Sequence, residues 1–289
     1  MIQHQAQDVI KAEIAPADHA DVKALLDLCA QHDGLALAVN VDNLTHEPGN
    51  GFLYYRGGQL IGVAFLFGEW TIEVIGAIHP AYRRQGVGRR LLDAIKNYCR
   101  KQAKEGLTII GVGGWEAGKA FIHAAGGTYT LSEYHMELAT TDIKRPAVWR
   151  DGLTLRQATP TQAAQVSGIA IQAFGDAEEE VAPWVAKAIL KPARRFFLVT
   201  LDSSKAVGCI STVAEGDGQV DITAFGILPS FQGKGLGRQV LTMTVEMLLA
   251  EGSQRIGLDV ETENSHALGL YQSCGFQQTR VDHYYQLQL

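Results

Sequence analysis

The chain has 289 residues, which exceeds the usual size of one domain and favours two compact domains. Its composition, 46% hydrophobic and 19% charged, is typical of a globular protein, and its net charge of −6 argues against a general nucleic-acid binder. Because no apolar run is long enough to span a membrane and the first residues do not resemble a signal peptide, we expect a cytoplasmic protein with no membrane partner.

Both halves of the chain show the same order of elements in their hydrophobic pattern. An opening strand leads through a proline turn into an amphipathic helix, a hairpin follows, and a fourth strand runs into a glycine-rich turn and a long helix. The first half places its strands and long helix at 11–14, 51–55, 59–67, 71–78 and 88–104, and the second half at 153–157, 196–201, 206–214, 220–228 and 237–251. A fifth strand, another helix and closing strands complete each half. We predict an α+β (mixed α/β) fold in which each half is a mainly antiparallel sheet flanked by helices.

The similarity of the two halves extends to individual residues. Segment 78–89 lies over segment 227–238, with Pro80 matching Pro229. The closing strands at 135–138 and 284–287 match each other at the same spacing. A repeat of this length indicates two copies of one fold. We therefore predict an N-terminal domain at 1–142, a linker at 143–151 and a C-terminal domain at 152–289.

The glycine-rich turns are the segments that indicate chemistry. A turn of this kind between a strand and a helix presents backbone N–H groups to one point, where the helix dipole adds positive potential. Gly86 and Gly88, and Gly235 and Gly237, would let the backbone approach an anion closely. Neither turn has the spacing of a Walker A loop or of a dinucleotide-binding fold, which discourages a nucleotide-binding regulatory protein. We therefore predict that each turn binds the pyrophosphate of a ligand of a different type.

The same segments resemble the coenzyme A signature of the GNAT (GCN5-related N-acetyltransferase) family, [Gln/Arg]-x-x-Gly-x-[Gly/Ala]. That pattern occurs at 232–237 and 83–88, and segment 258–276 resembles the second signature of the family. The resemblance covers nearly the whole chain, once per half, and the tandem architecture is similar to that of the mycothiol synthases. It implies two GNAT folds, acetyl-CoA in a V-shaped cleft between the fourth and fifth strands, and pantetheine pairing near 225–228.

The resemblance also assigns roles to single residues. Tyr271 matches the tyrosine that protonates the leaving thiolate, and Asn264 matches a residue that bonds to the pantetheine arm. The general base stays open among Asp221, Asp259, Glu261 and an ordered water. The residues expected to bind the cofactor are Ile227, Leu228, Gln232, Gly233, Lys234, Gly235, Leu236, Gly237, Arg238 and Asn264 in the second half, and Ile78, His79, Arg83, Arg84, Gln85, Gly86, Val87, Gly88 and Arg89 in the first.

The first copy departs from the family pattern. Ile122 stands where the second copy has Tyr271, segment 111–118 contains no asparagine, and Gly127 replaces the phenylalanine. An isoleucine cannot donate a proton. The first copy is therefore predicted to be catalytically degenerate, either binding coenzyme A without turnover or acting as a scaffold. The arginines around its glycine-rich turn either contact the phosphates of coenzyme A or form a solvent-exposed face of the helix.

These observations predict an N-acetyltransferase that transfers acetyl from acetyl-CoA to a primary amine by direct attack in the C-terminal copy. The alternative is a non-catalytic acyl-CoA-binding sensor, which would not need Tyr271. Four scattered cysteines lack the spacing of a metal site, so we expect no metal. The acceptor amine, on a small molecule or a protein, is expected to bind variable loops at about 28–50 and 174–195, and the protein to be a monomer or a homodimer.

Overall fold

The computed structural model of the chain describes residues 7–44, 49–68, 71–138, 143–146, 149–202 and 205–289. The chain divides into two compact units. Unit 1 comprises Met1–Ser132 and Val281–Leu289, and unit 2 comprises Glu133–Arg280. Each unit has a mixed, mainly antiparallel sheet flanked by helices, which confirms the predicted fold class.

Unit 1 repeats the order of elements that the sequence predicts. Its sheet has neighbours β1, β2, β3, β4, β5 and the end of β12, and all of these pairs are antiparallel except β4 with β5. The elements are β1 (Asp8–Lys11), α1 (His19–Asp33), β2 (Gly51–Arg56), β3 (Gln59–Phe67), β4 (Ile72–Ile78), α2 (Val87–Lys101), β5 (Gly106–Val112), α3 (Glu116–Ala124) and the start of β6 (Thr128–Leu138). The opening strand was predicted at 11–14, and it forms three residues earlier because Asp8 to Lys11 pair with β2.

Unit 2 has the same plan with one additional helix. Its sheet neighbours are β7, β8, β9, β10, β11 and the end of β6, with β10 and β11 as the parallel pair. The elements are β7 (Leu153–Gln157), α4 (Ala163–Phe174), α5 (Glu178–Ala188), β8 (Arg194–Leu201), β9 (Lys205–Gly216), β10 (Gln219–Ile227), α6 (Leu236–Ala250), β11 (Arg255–Glu261), α7 (Ser265–Cys274) and β12 (Phe276–Gln288). Half of the segment expected to be a loop at 174–195 is therefore helix α5.

The closing strands belong to the opposite units from those expected. Residues 133–138 of β6 pair with β11 in unit 2, and residues 282–288 of β12 pair with β5 in unit 1. Their alternating apolar side chains join the corresponding cores: Met136 and Leu138 are buried in unit 2, and Tyr285 and Leu287 in unit 1. The compact units thus differ from the domains predicted at 1–142 and 152–289, because strand pairing carries each closing strand into the other unit.

The expected linker is partly incorporated into unit 2. Ile143 packs against the core of that unit, and the Lys144 backbone N–H donates to the Cys274 carbonyl at 3.1 Å. Residues 147–148 of this segment lie outside the described residues. In the parts of the chain that the structure describes, no helix has both the length and the apolar character needed to cross a membrane.

Long helices anchor the glycine-rich turns to the two cores. Helix α2 buries Leu91, Leu92, Ile95 and Cys99, which recur at helical spacing and pack on the sheet of unit 1. Burial of each large apolar side chain contributes about 1.5–3 kcal/mol, so the helix and the turn before it are held firmly. Helix α6 does the same in unit 2.

Candidate active site

A cleft opens in unit 2 between the parallel strands β10 and β11. Their pairing ends at Ile222 with Leu258, although β10 continues to Ile227 and β11 to Glu261. Beyond the last pair, backbone polar groups on the facing edges have no partner in the other strand. Such a divergence creates a slot in which an extended ligand can bind to strand backbone.

A β-bulge in β10 lies at the start of this divergence. Thr223 pairs with Ser211 and Gly226 pairs with Cys209, so β10 has one residue more than β9 between these pairs. Ala224 has a φ of 44°, an unusual value for a residue with a Cβ. A bulge leaves its extra residue outside the ladder and turns its backbone groups away from the neighbouring strand. It can therefore point N–H donors into the cleft.

The glycine-rich turn of unit 2 has the geometry of an anion site. Gly233 and Gly235 have φ values of 70° and 74°, and an added Cβ at either would meet nothing within 4 Å. Gly235 caps the 15-residue helix α6, whose N-terminal N–H groups and dipole favour negative charge. The open, left-handed turn therefore fits a pyrophosphate. The Gln232 side chain donates to the Ile227 carbonyl at 2.9 Å and fixes the turn against the end of β10.

The other residues predicted to bind the cofactor in this segment have different exposures. Leu236 is buried, so only its backbone could meet a ligand, while the Lys234 ammonium donates to the Ser230 carbonyl at 2.8 Å. A Cβ at Gly237 would meet Leu270 at 3.3 Å, which explains the glycine there by the close approach of α7 to α6. The remaining positions, Ile227, Leu228 and Arg238, border the same turn.

Tyr271 lies on α7, the helix that follows β11, and Asn264 is the residue just before that helix. Tyr271 is 9% exposed, and burial raises the pKa of its phenol to about 12. The hydroxyl makes no hydrogen bond to any part of the chain that the structure describes. Asn264 caps α7 through its Oδ1, which accepts from the Ala267 N–H at 3.0 Å, so its Nδ2 group is left to donate elsewhere.

The three candidate carboxylates have different surroundings. Asp221 on β10 is partly buried, and this burial raises the pKa of its carboxyl, which accepts from the Gln219 side chain at 3.1 Å. Asp259 on β11 accepts from or pairs with His135 Nδ1 at 2.8 Å. Glu261 is exposed at the end of β11. The structure therefore brings Asp221 and Asp259 into one cluster and leaves Glu261 in solvent.

The cluster contains polar residues that the sequence did not reveal. His135 comes from β6, and Glu137 lies 3.4 Å from its Nε2 atom. Arg194 donates to the Ser211 and Thr223 hydroxyls at 3.1 and 2.8 Å beside the bulge. Each is an ordinary polar position in an alternating strand pattern, so only the strand order shows that they meet.

The corresponding cleft in unit 1 is built differently. Pairing of β4 with β5 also stops early, at Val74 with Ile109, but β4 pairs with β3 from Gly62 to Phe67 without a bulge. At the spacing that separates Pro80 from Pro229, Trp115 replaces Asn264 as the N-cap residue, and the buried Ile122 replaces Tyr271. Unit 1 therefore lacks both side chains assigned to the thioester end of the cleft.

The turn of unit 1 is also committed to internal contacts. Arg83 donates to the Ile78 carbonyl at 2.9 Å, makes two 2.7 Å hydrogen bonds to Asp33, and has its guanidinium 5.4 Å from the Trp115 ring centre. Arg83 thus anchors the turn as Gln232 does in unit 2. Of the other residues predicted here, the Ile78 carbonyl accepts that bond, and His79, Gln85 and Arg89 make hydrogen bonds within unit 1. Arg84 and Gly86 form the turn, and Gly88 and the buried Val87 open helix α2.

Within the described ranges, no group of His, Cys, Asp or Glu side chains is arranged to hold a metal ion. The arrangement in unit 2 combines an anion-binding turn, a backbone slot, a phenol and a partly buried carboxylate. Such a site can hold an extended phosphate-containing thioester and exchange protons at its end.

Comparisons with known proteins match both halves of the chain to one family. Residues 164–276 match the acetyltransferase (GNAT) family model, and residues 47–126 match the acetyltransferase (GNAT) domain model. The mycothiol acetyltransferase of Clavibacter michiganensis subsp. michiganensis is 27% identical, over 96% of this chain and 94% of the relative.

Two solved structures share the fold over almost the whole chain. A GCN5-related N-acetyltransferase from Sphaerobacter thermophilus superposes with a TM-score of 0.79 at 17% identity, covering 97% of this chain and 95% of its own. A tandem GNAT protein from the clavulanic acid biosynthesis pathway gives 0.75 at 19% identity, covering 98% of each chain. The tandem arrangement predicted from the repeat is confirmed.

Proposed function

The chain belongs to the GNAT family and is an acetyl-CoA-dependent acetyltransferase, and on this premise we propose that unit 2 carries out the reaction on a primary amine. The observation that carries the proposal is that unit 2 combines the bulge at Ala224, the open turn at Gly233 and Gly235, and Tyr271 on α7, a helix that approaches the turn at Gly237. The same positions in unit 1 hold a regular strand and Ile122.

The proposed chemistry assigns one task to each part of the cleft. The turn before α6 binds the pyrophosphate, and the free edge of β10 binds the pantetheine arm. N–H groups at the bulge donate hydrogen bonds to the thioester carbonyl oxygen and stabilise the negative charge that develops on it, which lowers the barrier most if they are already in place. The amine nitrogen forms a bond to the carbonyl carbon as the carbon–sulfur bond breaks.

Two side chains move the protons. Asp221 takes the proton that the attacking amine loses, and burial raises its pKa towards the range in which a carboxylate is an effective base. Tyr271 gives its proton to the departing thiolate, and its pKa of about 12 keeps it protonated at neutral pH. Asp221 is preferred to Asp259, which is engaged with His135, and to the exposed Glu261.

Two matched glycine variants test where acetyl-CoA binds. Gly235→Glu and Gly86→Glu each place an acid at a left-handed helix cap with open space around it, so their effects on folding should be equal. We expect calorimetric titration with acetyl-CoA to show one site in the wild type and in Gly86→Glu, and affinity at least 100-fold weaker in Gly235→Glu because a carboxylate would oppose the pyrophosphate.

Release of coenzyme A in the presence of an amine panel, followed with a thiol reagent, then separates an enzyme from a sensor. The panel should include the amine substrate of a mycothiol acetyltransferase, since those relatives are similar across both units. If acetyl-CoA binds but no amine of the panel is acetylated, the result would favour the sensor. Loss of binding in Gly86→Glu alone would move the site to unit 1.

A further inference from the structure

His135 is a deeply buried titratable side chain of the cluster in unit 2. It is 6% exposed, its Nδ1 lies 2.8 Å from Asp259, and its Nε2 lies 3.4 Å from Glu137. Burial lowers the pKa of the imidazole, but the hydrogen bond and the charge of Asp259 outweigh burial and raise it above the usual value. The ring therefore lies between two carboxylates, and its surroundings favour the protonated form.

Gly257 allows this ring and Asp221 to approach each other across β11. Asp221 pairs with Gly257 from one side, and the pairing of Asp259 with His135 brings the imidazole from the other. A Cβ at Gly257 would lie 2.5 Å from Asp221 Oδ1 and 3.3 Å from His135 Nε2. The space above a single glycine is thus shared by the proposed base and the imidazolium.

The groups around Asp221 are mostly negative. Besides the neutral Gln219 amide, it faces the carboxylates of Asp259, Glu137 and Glu215, and its pKa is raised by burial first and then by Asp259 and Glu137. The cations of the cluster are His135, Arg280, which acts on His135, and Arg194, which faces Glu215. Among the charged groups that act on Asp221, His135 is the one that favours its ionised form.

We propose that His135 is a positioning residue whose imidazolium, held by Asp259, keeps Asp221 ionised and ready to accept the proton of the acceptor amine. The inference rests on the proposed role of Asp221. It also gives the N-terminal copy a part in the reaction, because its closing strand β6 brings His135 into unit 2. A C-terminal copy with only its own strands would lack this charge.

Unit 1 contains a natural comparison. Glu73 pairs with Thr108 as Asp221 pairs with Gly257, and Tyr284 pairs with Ile110 where His135 pairs with Asp259. Burial alone raises the pKa of Glu73. The two units therefore share a buried carboxylate on the strand next to the cleft, and the imidazolium accompanies only the one in unit 2.

The test measures the titration of Asp221 by NMR on protein with carboxyl-labelled aspartate, with Asp221→Asn to assign its signal. Replacement of the imidazolium in His135→Gln should raise the Asp221 midpoint, so that its proton affinity increases roughly tenfold. His283→Gln is the control, since His283 is a strand histidine of unit 1 bonded to Ser132 at 2.6 Å. An unchanged midpoint in His135→Gln would overturn the proposal.

The pH dependence of kcat/KM gives a second readout that a purely structural role would not alter. A higher pKa of the base moves the acid limb to higher pH, so His135→Gln should lose most activity at low pH and recover at alkaline pH. A loss by one constant factor at all pH values would contradict the proposal. If Asp221→Asn retains full turnover, the base assignment of the proposed function fails instead, whatever the NMR midpoint shows.

Discussion

Units 1 and 2 have nearly the same turn between the fourth strand and the long helix, but very different clefts beyond it. Gly86 and Gly235 have almost equal φ values of 80° and 74°, and each caps a 15-residue helix. The turn proposed to bind the pyrophosphate therefore depends on backbone geometry, which both units keep although their side chains differ. The proposed thioester end depends on individual side chains and on the bulge, and there unit 1 keeps a buried carboxylate, Glu73, but lacks the phenol, the asparagine and the bulge.

The phenol is the sharpest difference between the two clefts. Tyr271→Phe removes the proton donor while keeping the ring, and we expect kcat to fall by about 10²-fold or more, as for loss of a general acid. Affinity for acetyl-CoA, measured by calorimetry, should be unchanged. Tyr54→Phe is the control in unit 1: it loses a 2.7 Å hydrogen bond to Asp8 and should lower stability without lowering kcat. Equal turnover of Tyr271→Phe and wild type would remove the phenol from the mechanism.

The bulge is the second difference. Unit 1 has Ala77 at the position that corresponds to Gly226 in unit 2. A Cβ added to Gly226 would lie 2.6 Å from the Ala173 Cβ and 3.0 Å from the Phe174 ring. Gly226→Ala should therefore displace the end of α4, destabilise unit 2 by about 1–3 kcal/mol and lower kcat roughly tenfold.

Gly168→Ala provides the control for that experiment within α4, because its Cβ would meet nothing within 4 Å. It should raise the free energy of unfolding slightly and leave kcat unchanged. Steady-state kinetics and urea unfolding measure both effects. Wild-type kcat in Gly226→Ala would mean that the bulge can relax without harm.

The smallest expected effect concerns the ion pair that anchors the turn of unit 1. Asp33→Asn removes the negative charge and one of the two oxygens that accept from Arg83, and it should lower the free energy of unfolding by about 1 kcal/mol at pH 7, with no change in turnover. Arg83 holds the pKa of Asp33 below its usual range, so the contribution of the pair is present above about pH 4 and is lost as the pH falls further. Urea unfolding at pH 7 and pH 3 should show the difference shrinking; a difference independent of pH would contradict this account.

The sequence predicts the elements of each unit and the glycine-rich turns because these depend on local properties. Apolar periodicity and positive-φ glycines carry that information. Helix α5 was missed although its signal is present: three glutamates open it, and Val181, Trp184, Val185 and Ala188 recur at helical spacing. The interpretation as a variable loop did not use this spacing.

The cluster around Asp221 depends on properties that are not local. One extra residue in β10 shifts the register, which hides the correspondence between Glu73 and Asp221 in the aligned repeat. The closing strands have the same alternating pattern, so nothing in their residues indicates which sheet each will join. His135 could therefore be placed beside Asp259 only from the strand pairing.

The exchange of closing strands has a consequence for how the chain folds as it is synthesised. Strand β5 of unit 1 pairs with residues 282–288, so the sheet of the unit that is translated first remains incomplete until those residues are made. Until then β5 presents an open edge, the kind of surface at which chains associate wrongly. Removal of residues 281–289 should thus expose unit 1 to aggregation during translation, even though unit 2 and its cleft would keep their own strands.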